Sequence, residues 1–206
     1  MKDETISDPR MEFFDSIADK WDTWHDLLDV NIQLCAMLEK FGVSANESVL
    51  DAGCGTGNLT IALLQRLGPS GRIMAVDISK QMLKRAKKKV NDDRVTWHHS
   101  SADRLAIVDN TLDRVICFSV WPHFDNPEGI TREFYRVLRP GGHLNILHLI
   151  PRSKVNQIHA EAHPSVHHDH LASASETSQL LKNNRFKVIS MTDNEQRYII
   201  TAFKQG

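Results

Sequence analysis

Cysteine is scarce in this chain: Cys35, Cys54 and Cys117 are odd in number, scattered, and without Cys-x-x-Cys spacing. That excludes a disulfide framework and points to a reducing compartment. No apolar run is long enough to span a bilayer, and the charged, acidic N-terminus is unlike a signal peptide, so a cytoplasmic protein is expected. Charge of either sign is not in excess, with 25 basic against 26 acidic residues. Bulk electrostatics therefore favour neither nucleic acid nor an anionic membrane. The chain also lacks an Asn-Pro-Pro-Tyr-like motif and an appended binding domain, which disfavours nucleic-acid modification. What remains is 206 residues, the length of one generous domain, with eleven histidines as its compositional oddity.

The pattern is organised around Val49 to Asn58, Val-Leu-Asp-Ala-Gly-Cys-Gly-Thr-Gly-Asn. A strand ends on an acid, three glycines follow at every second position, and Leu59 to Leu67 reads as a helix. Glycine suits such a turn because it adopts angles other residues avoid and lets a ligand approach the backbone. A strained loop without a ligand is the plain alternative. A dinucleotide fingerprint would space its glycines G-x-G-x-x-G, but Gly57 comes one residue early and Asn58 fills the expected position. Arg72 to Ile78 repeats the theme as a second strand ending on Asp77, where an acid can accept hydrogen bonds from both hydroxyls of a ribose. Ser79 then caps a helix through Val90, whose Lys84, Arg85, Lys87, Lys88 and Lys89 read as a solvated face suited to the helix dipole.

Further strands are expected at Val95 to His99, Asp113 to Ser119 and His143 to Ile150, with a helix before the last ended by Pro140. A helix from about Glu176 to Asn184 precedes strands Phe186 to Met191 and Arg197 to Phe203. Those two are joined by so short a turn that they must form a hairpin, since a parallel crossover needs a dozen or more residues. At the other end, Met1 to Arg10 is polar and expected to fray. Phe13, Phe14, Ile17, Ala18 and Trp21 then recur at helical spacing, and Leu27 to Phe41 continues the pattern until Gly42.

Several segments resemble one family. The acid-x-Gly-x-Gly-x-Gly turn, the segment Phe-Phe-Asp-Ser-Ile-Ala-Asp-Lys-Trp-Asp (13 to 22), Val-Trp-Pro-His-Phe (120 to 124) and Glu-Phe-Tyr-Arg-Val-Leu-Arg-Pro-Gly-Gly (133 to 142) are similar to motifs of class I S-adenosylmethionine-dependent methyltransferases of the ubiquinone/menaquinone type. The resemblance covers roughly 11 to 150 by motif and the remainder by order of elements. It implies an α/β, Rossmann-like three-layer sandwich with a mostly parallel seven-stranded sheet and a terminal antiparallel hairpin, S-adenosylmethionine as cofactor, and a small-molecule acceptor. It implies a single domain over 1–206, with 1–42 as a helical lid and 151–175 as a substrate-side insertion.

By the same resemblance Gly53, Gly55 and Gly57 would cradle the methionine end, Asp51 would meet its ammonium directly or through water, and Asp77 would hold the ribose. Ser101, Ala102 and Asp103 would surround adenine, Ser101 standing where the family has an acid. Trp21 stands where the family has tyrosine over the cofactor, and Ala52, Ile78, Met82 and Phe118 complete the cofactor set. His148 replaces an acid that follows the fifth strand in the quinone enzymes, which argues against simply assigning a quinone substrate.

The segment Pro151 to Ser175 lies outside the common plan. Ser153 to Ala162 reads as a short helix ended by Pro164, with Arg152, Asn156, His159 and His163 on one face as a polar, substrate-facing stripe. His159 and His163 also have metal-ligand spacing, with His167, His168, Asp169 and His170 nearby. No cysteine or His-Glu-x-x-His pattern reinforces it, and no metal is assigned. His123, His148 and His159 are the candidates for a general base, because histidine titrates near working pH. The competing readings are a cyclase or decarboxylase using the same cofactor, a non-catalytic cofactor- or metal-binding module, and a nicotinamide oxidoreductase. The last is the weakest, because Asn58 and the hairpin both oppose it.

Overall fold

The computed structural model describes residues 8–206. The expected polar lead-in lies mostly outside them, but Arg10 does not fray. Asp8 caps helix α1 (Pro9–Ile17) by accepting from the Arg10 N–H, and proline occupies the first turn, where its missing N–H costs nothing. One turn of 3-10 helix, Trp21–Trp24, leads to α2 (Leu27–Lys40), capped by Asp26 through the N–H groups of Leu28 and Asp29. Gly42 turns the chain at φ +67°.

Strand and helix then alternate: β1 (Ser48–Ala52), α3 (Asn58–Arg66), β2 (Arg72–Asp77), α4 (Lys80–Lys89), β3 (Val95–His99), β4 (Leu112–Phe118), α5 (Pro127–Val137) and β5 (Leu138–His148). The expected cap at Ser79 is present, its hydroxyl accepting from the Met82 N–H. After α6 (Arg152–Ala160) and α7 (Ala174–Asn183) come β6 (Phe186–Asp193) and β7 (Tyr198–Lys204). The seven strands order as β3-β2-β1-β4-β5-β7-β6, parallel except for β7, which runs antiparallel to both β5 and β6. The terminal hairpin is therefore as expected, and with helices on both faces the chain has the Rossmann-like methyltransferase architecture.

Alternation along the strands divides the core. Val49, Ile73, Ala75 and Ile116 pack with Leu34, Leu38, Leu59, Leu63 and Leu83 of α2, α3 and α4. Their neighbours Leu50, Val76, Val115 and Cys117 face Phe134, Val137 and Leu181 of α5 and α7. A strand buried on both faces needs apolar residues in both registers, which is why these segments read as continuous apolar runs.

Two boundaries differ from expectation. Helix α5 ends at Val137 rather than at Pro140, and Leu138 already pairs with Leu112. Proline disfavours helical geometry in the residue before it, so the chain leaves the helix ahead of Arg139 and Pro140 falls in an irregular start to β5. Helix α6 likewise closes at Glu161, before Pro164 acts.

Candidate active site

The order of connection reverses between β1 and β4, and the carboxyl ends of β1, β2 and β4 open there into a cavity. A crevice at such a reversal is where open α/β sheets take their ligands. Asp51, Gly53, Gly55, Asp77, Ile78, Met82, Ser101, Ala102, Asp103 and Phe118 line it, with Phe14 and Trp21 from the N-terminal segment.

The glycine turn has the geometry expected of it. Gly53 (φ +70°) and Gly55 (φ +52°) are left-handed. A Cβ on Gly53 would lie 2.3 Å from Val120 Cγ2, whereas one on Gly55 would meet nothing within 4 Å. Gly53 is thus required by packing as well as by backbone angle, and Gly55 by backbone angle alone. Asp77 holds the turn: its Oδ2 accepts from the Gly55 N–H at 2.7 Å and its Oδ1 from the Ser79 N–H at 2.8 Å. Burial pushes its carboxyl up against those two bonds. Asp51 is 1% exposed, accepts from Thr60 Oγ1 at 2.6 Å, and is pushed by burial, with Asp77 adding to it, to about 7. Two buried carboxylates facing one cavity call for a cationic group and hydroxyl donors.

The N-terminal segment closes over this floor. Asp22 Oδ1 accepts from Thr56 Oγ1 at 2.6 Å and from Asn58 Nδ2 at 3.4 Å, while Lys89 Nζ lies 2.8 Å from its other oxygen. Asp15 accepts from Ser79 Oγ at 2.5 Å and from the Gln81 N–H at 3.0 Å, and Asp19 pairs with Arg85. Trp21 packs edge-on to Phe14, and Phe14 edge-on to His123.

His123 is the candidate base that lines the cavity. Its Nδ1 lies 2.6 Å from Asp169 Oδ2. Burial pushes the Asp169 carboxyl up, but hydrogen bonds from His123 and Arg10 outweigh it and hold it below the usual carboxylate range. An ionised carboxylate only accepts, so His123 Nδ1 is the donor and Nε2 is the ring nitrogen left for the cavity. His159 lies beside His123, ring centroids 4.8 Å apart and planes tilted by 49°, and donates Nδ1–H to the Asp169 carbonyl at 2.8 Å. Burial, with His123 adding to it, lowers the His159 ring below its ordinary value.

Other sequence-predicted residues lie elsewhere. Ala52 and Gly57 sit behind the lining, and a Cβ on Gly57 would press on Ala86 at 3.2 Å. His148 is 2% exposed, off the cavity wall, its Nε2 without a partner among the described residues. Burial lowers its ring to about 3, which makes it a poor proton acceptor. The polar stripe of α6 is dispersed. Arg152 Nε donates to Asp193 Oδ2 at 2.9 Å, Asn156 exchanges two hydrogen bonds with the Leu171 backbone, and His163 stacks on Phe13 while meeting Ser165. Arg152, Asn156 and His163 do not line the cavity. Among the described residues no three His, Cys, Asp or Glu side chains converge to hold a metal ion.

Sequence reasoning missed Asp22 as a tie to the glycine turn, although it closes the quoted segment 13 to 22. In the sequence Asp169 stands out only as a neighbour of histidines, and Arg10 only as part of a polar end. Pairing across 159 residues leaves no local signal.

A family model described as "Methyltransferase domain" matches residues 50–146. The ubiquinone/menaquinone biosynthesis C-methyltransferase UbiE of Hahella chejuensis is 37% identical over 142 residues, 65% of this chain and 57% of its own length. The protein of that name from Klebsiella pneumoniae subsp. pneumoniae is 32% identical over 153 residues, 70% of this chain and 60% of its own. This chain thus spans less than two thirds of these relatives. In fold it is similar to a SAM-dependent methyltransferase from Aquifex aeolicus (TM-score 0.69, 22% identity, covering 82% of this chain and 87% of that one). It is similar also to the [4+2]-cyclase SpnF (TM-score 0.70, 17% identity, covering 85% and 80%).

Proposed function

We propose that the chain, whose residues 50–146 match the methyltransferase-domain model, is a class I S-adenosylmethionine-dependent enzyme that transfers a methyl group to a small-molecule acceptor deprotonated by His123. The observation that carries this reading is one cavity walled by a cation-seeking pair of acids, Asp51 and Asp77, on one side and by His123 backed by Asp169 on the other.

The residues present fit the cofactor. Asp51 would meet its ammonium, the left-handed glycine turn would admit its amino-acid end, Asp77 would meet its ribose, and Ser101, Ala102 and Asp103 would border adenine. When bound, S-adenosylmethionine supplies a methyl group already activated on a sulfonium. The protein then has to align the acceptor, exclude water and take a proton. Phe14, Trp21, Phe124 and Ile130 provide apolar wall around His123 and suit a flat, largely apolar acceptor. With Nδ1 committed to Asp169, Nε2 is the atom that accepts the acceptor's proton. The names of the relatives support carbon as the acceptor atom, and removing a phenolic or enolic proton is what makes such a carbon nucleophilic. His148, placed where the quinone enzymes have an acid, is a reason not to carry over their substrate.

The test begins with calorimetric titration of S-adenosylhomocysteine, expected to bind at one site without added metal. Labelled S-adenosylmethionine is then offered with a panel of phenols, hydroquinones and enolisable ketones. Binding with no methyl transfer to any acceptor would favour a cofactor-binding module or a cyclase-like activity; no binding would sink the proposal.

A further inference from the structure

Resting on that reading, we infer that Arg10 is a positioning residue for the base: the N-terminal helix carries the cation that fixes Asp169 in the orientation His123 needs, so closure of this helix and assembly of the base are one event. Asp169 sits on the loop between α6 and α7, its side chain 2% exposed. Arg10 grips it as a fork, Nε 3.1 Å from both carboxylate oxygens and Nη2 2.8 Å from Oδ1. His123 takes Oδ2 from the opposite direction. The remaining guanidinium nitrogen, Nη1, lies 2.6 Å from Asp125 and 3.6 Å from Asp8. One side chain therefore joins three segments: α1, the loop after His123, and the loop after α6.

This arrangement exceeds what the stability of α1 requires. Asp15, Asp19 and Asp22 already tie the N-terminal segment to α4 and the glycine turn. A buried carboxylate that faced His123 alone would be held by one hydrogen bond and free to turn about its Cβ–Cγ bond. The planar guanidinium supplies the opposing charge and fixes the carboxylate plane, which a lysine cannot do. The charged or titratable groups around His123 are Asp169 with Arg10 behind it, Asp125 and Asp8 beyond Arg10, His159 on α6 and His148 on β5. Of these Arg10 is the cation that offsets Asp169.

Two readouts test the inference, one of them independent of turnover. In the S-adenosylhomocysteine complex, the His123 Nδ1–H bonded to Asp169 is expected as a downfield proton resonance, assigned by its loss in His123→Gln. Arg10→Ala and Arg10→Lys should broaden or abolish it while the thermal melt stays cooperative and cofactor affinity changes by less than about threefold. Asp169→Asn should remove it. With an active acceptor, Arg10→Ala is expected to lower kcat roughly tenfold with KM little changed. Asp169→Asn should lower kcat about a hundredfold, and the double variant should cost no more than Asp169→Asn alone. An unchanged downfield proton in Arg10→Ala, its absence from the unmodified protein, or additive losses in the double variant would overturn the inference. The resonance does so even if no acceptor is ever found.

Discussion

Asp51→Asn isolates the charge at the floor of the cavity. The substitution keeps volume and leaves an oxygen to accept from Thr60 Oγ1, so the change is chiefly electrostatic. Burial moves this carboxyl from 3.8 to about 7. Because the folded value lies above the unfolded one, the ligand-free protein binds a proton that the unfolded chain has lost between pH 4 and 7. Its stability is therefore greatest below that window and falls as pH rises through 7. At about 1.4 kcal/mol per unit the gap amounts to ~4 kcal/mol, an upper figure because Asp77 titrates beside it. An ammonium reverses the balance by favouring the ionised form. S-Adenosylhomocysteine should thus bind the unmodified protein more tightly as pH rises from 6 to 8, by up to about tenfold per unit below 7. In Asp51→Asn the slope should flatten, with affinity at pH 8 lower by roughly 10- to 100-fold for the lost charge-assisted bond. The ligand-free Tm at pH 8 should rise by several degrees. Calorimetry across pH, paired with thermal melts, reads all three. A pH-independent affinity in the unmodified protein, or an undiminished slope in Asp51→Asn, would refute the role given to this acid.

The tie between the N-terminal segment and the glycine turn gives a second expectation: Asp22→Ala should weaken S-adenosylhomocysteine about tenfold, mainly through faster release in stopped-flow traces. Gly53→Ala should destabilise the fold by at least ~2 kcal/mol in urea, since its Cβ would fall 2.3 Å from Val120 Cγ2. Adding Val120→Ala should recover only part of that loss, since the Cβ at position 120 would still lie 2.8 Å away, and should leave the cost of the positive φ, about 1 kcal/mol. Phe134, fully buried between α5 and the sheet, should cost about 3–5 kcal/mol as Phe134→Ala. Cofactor affinity of the folded fraction should be unchanged there, because Phe134 does not line the cavity.

What the sequence made legible follows how far each signal reaches along the chain. The glycine turn, the Ser79 cap and the terminal hairpin each depend on residues within a few positions of one another, and each stands where local chemistry put it. The acids at the ends of β1 and β2 were legible for the same reason, since the last residues of a strand lie at the sheet's carboxyl edge. The partners of the polar face of α6 were not legible, for a complementary reason. Periodicity says which residues share a face, but the partner of that face is chosen by the tertiary fold. Asn156 is taken by the Leu171 backbone and Arg152 by Asp193, so Asn156 and His159 hold the loop around Asp169 while Arg152 ties α6 to β6. That has a chemical consequence. The histidine-rich segment reaches His123 through the carboxylate and carbonyl of Asp169, and Asp169 is completed by an arginine from the opposite end of the chain. A base so assembled is fully formed only when the N-terminal helix is docked. Bulk water would then be excluded in the same step that prepares proton transfer, as alignment of an acceptor with a sulfonium requires.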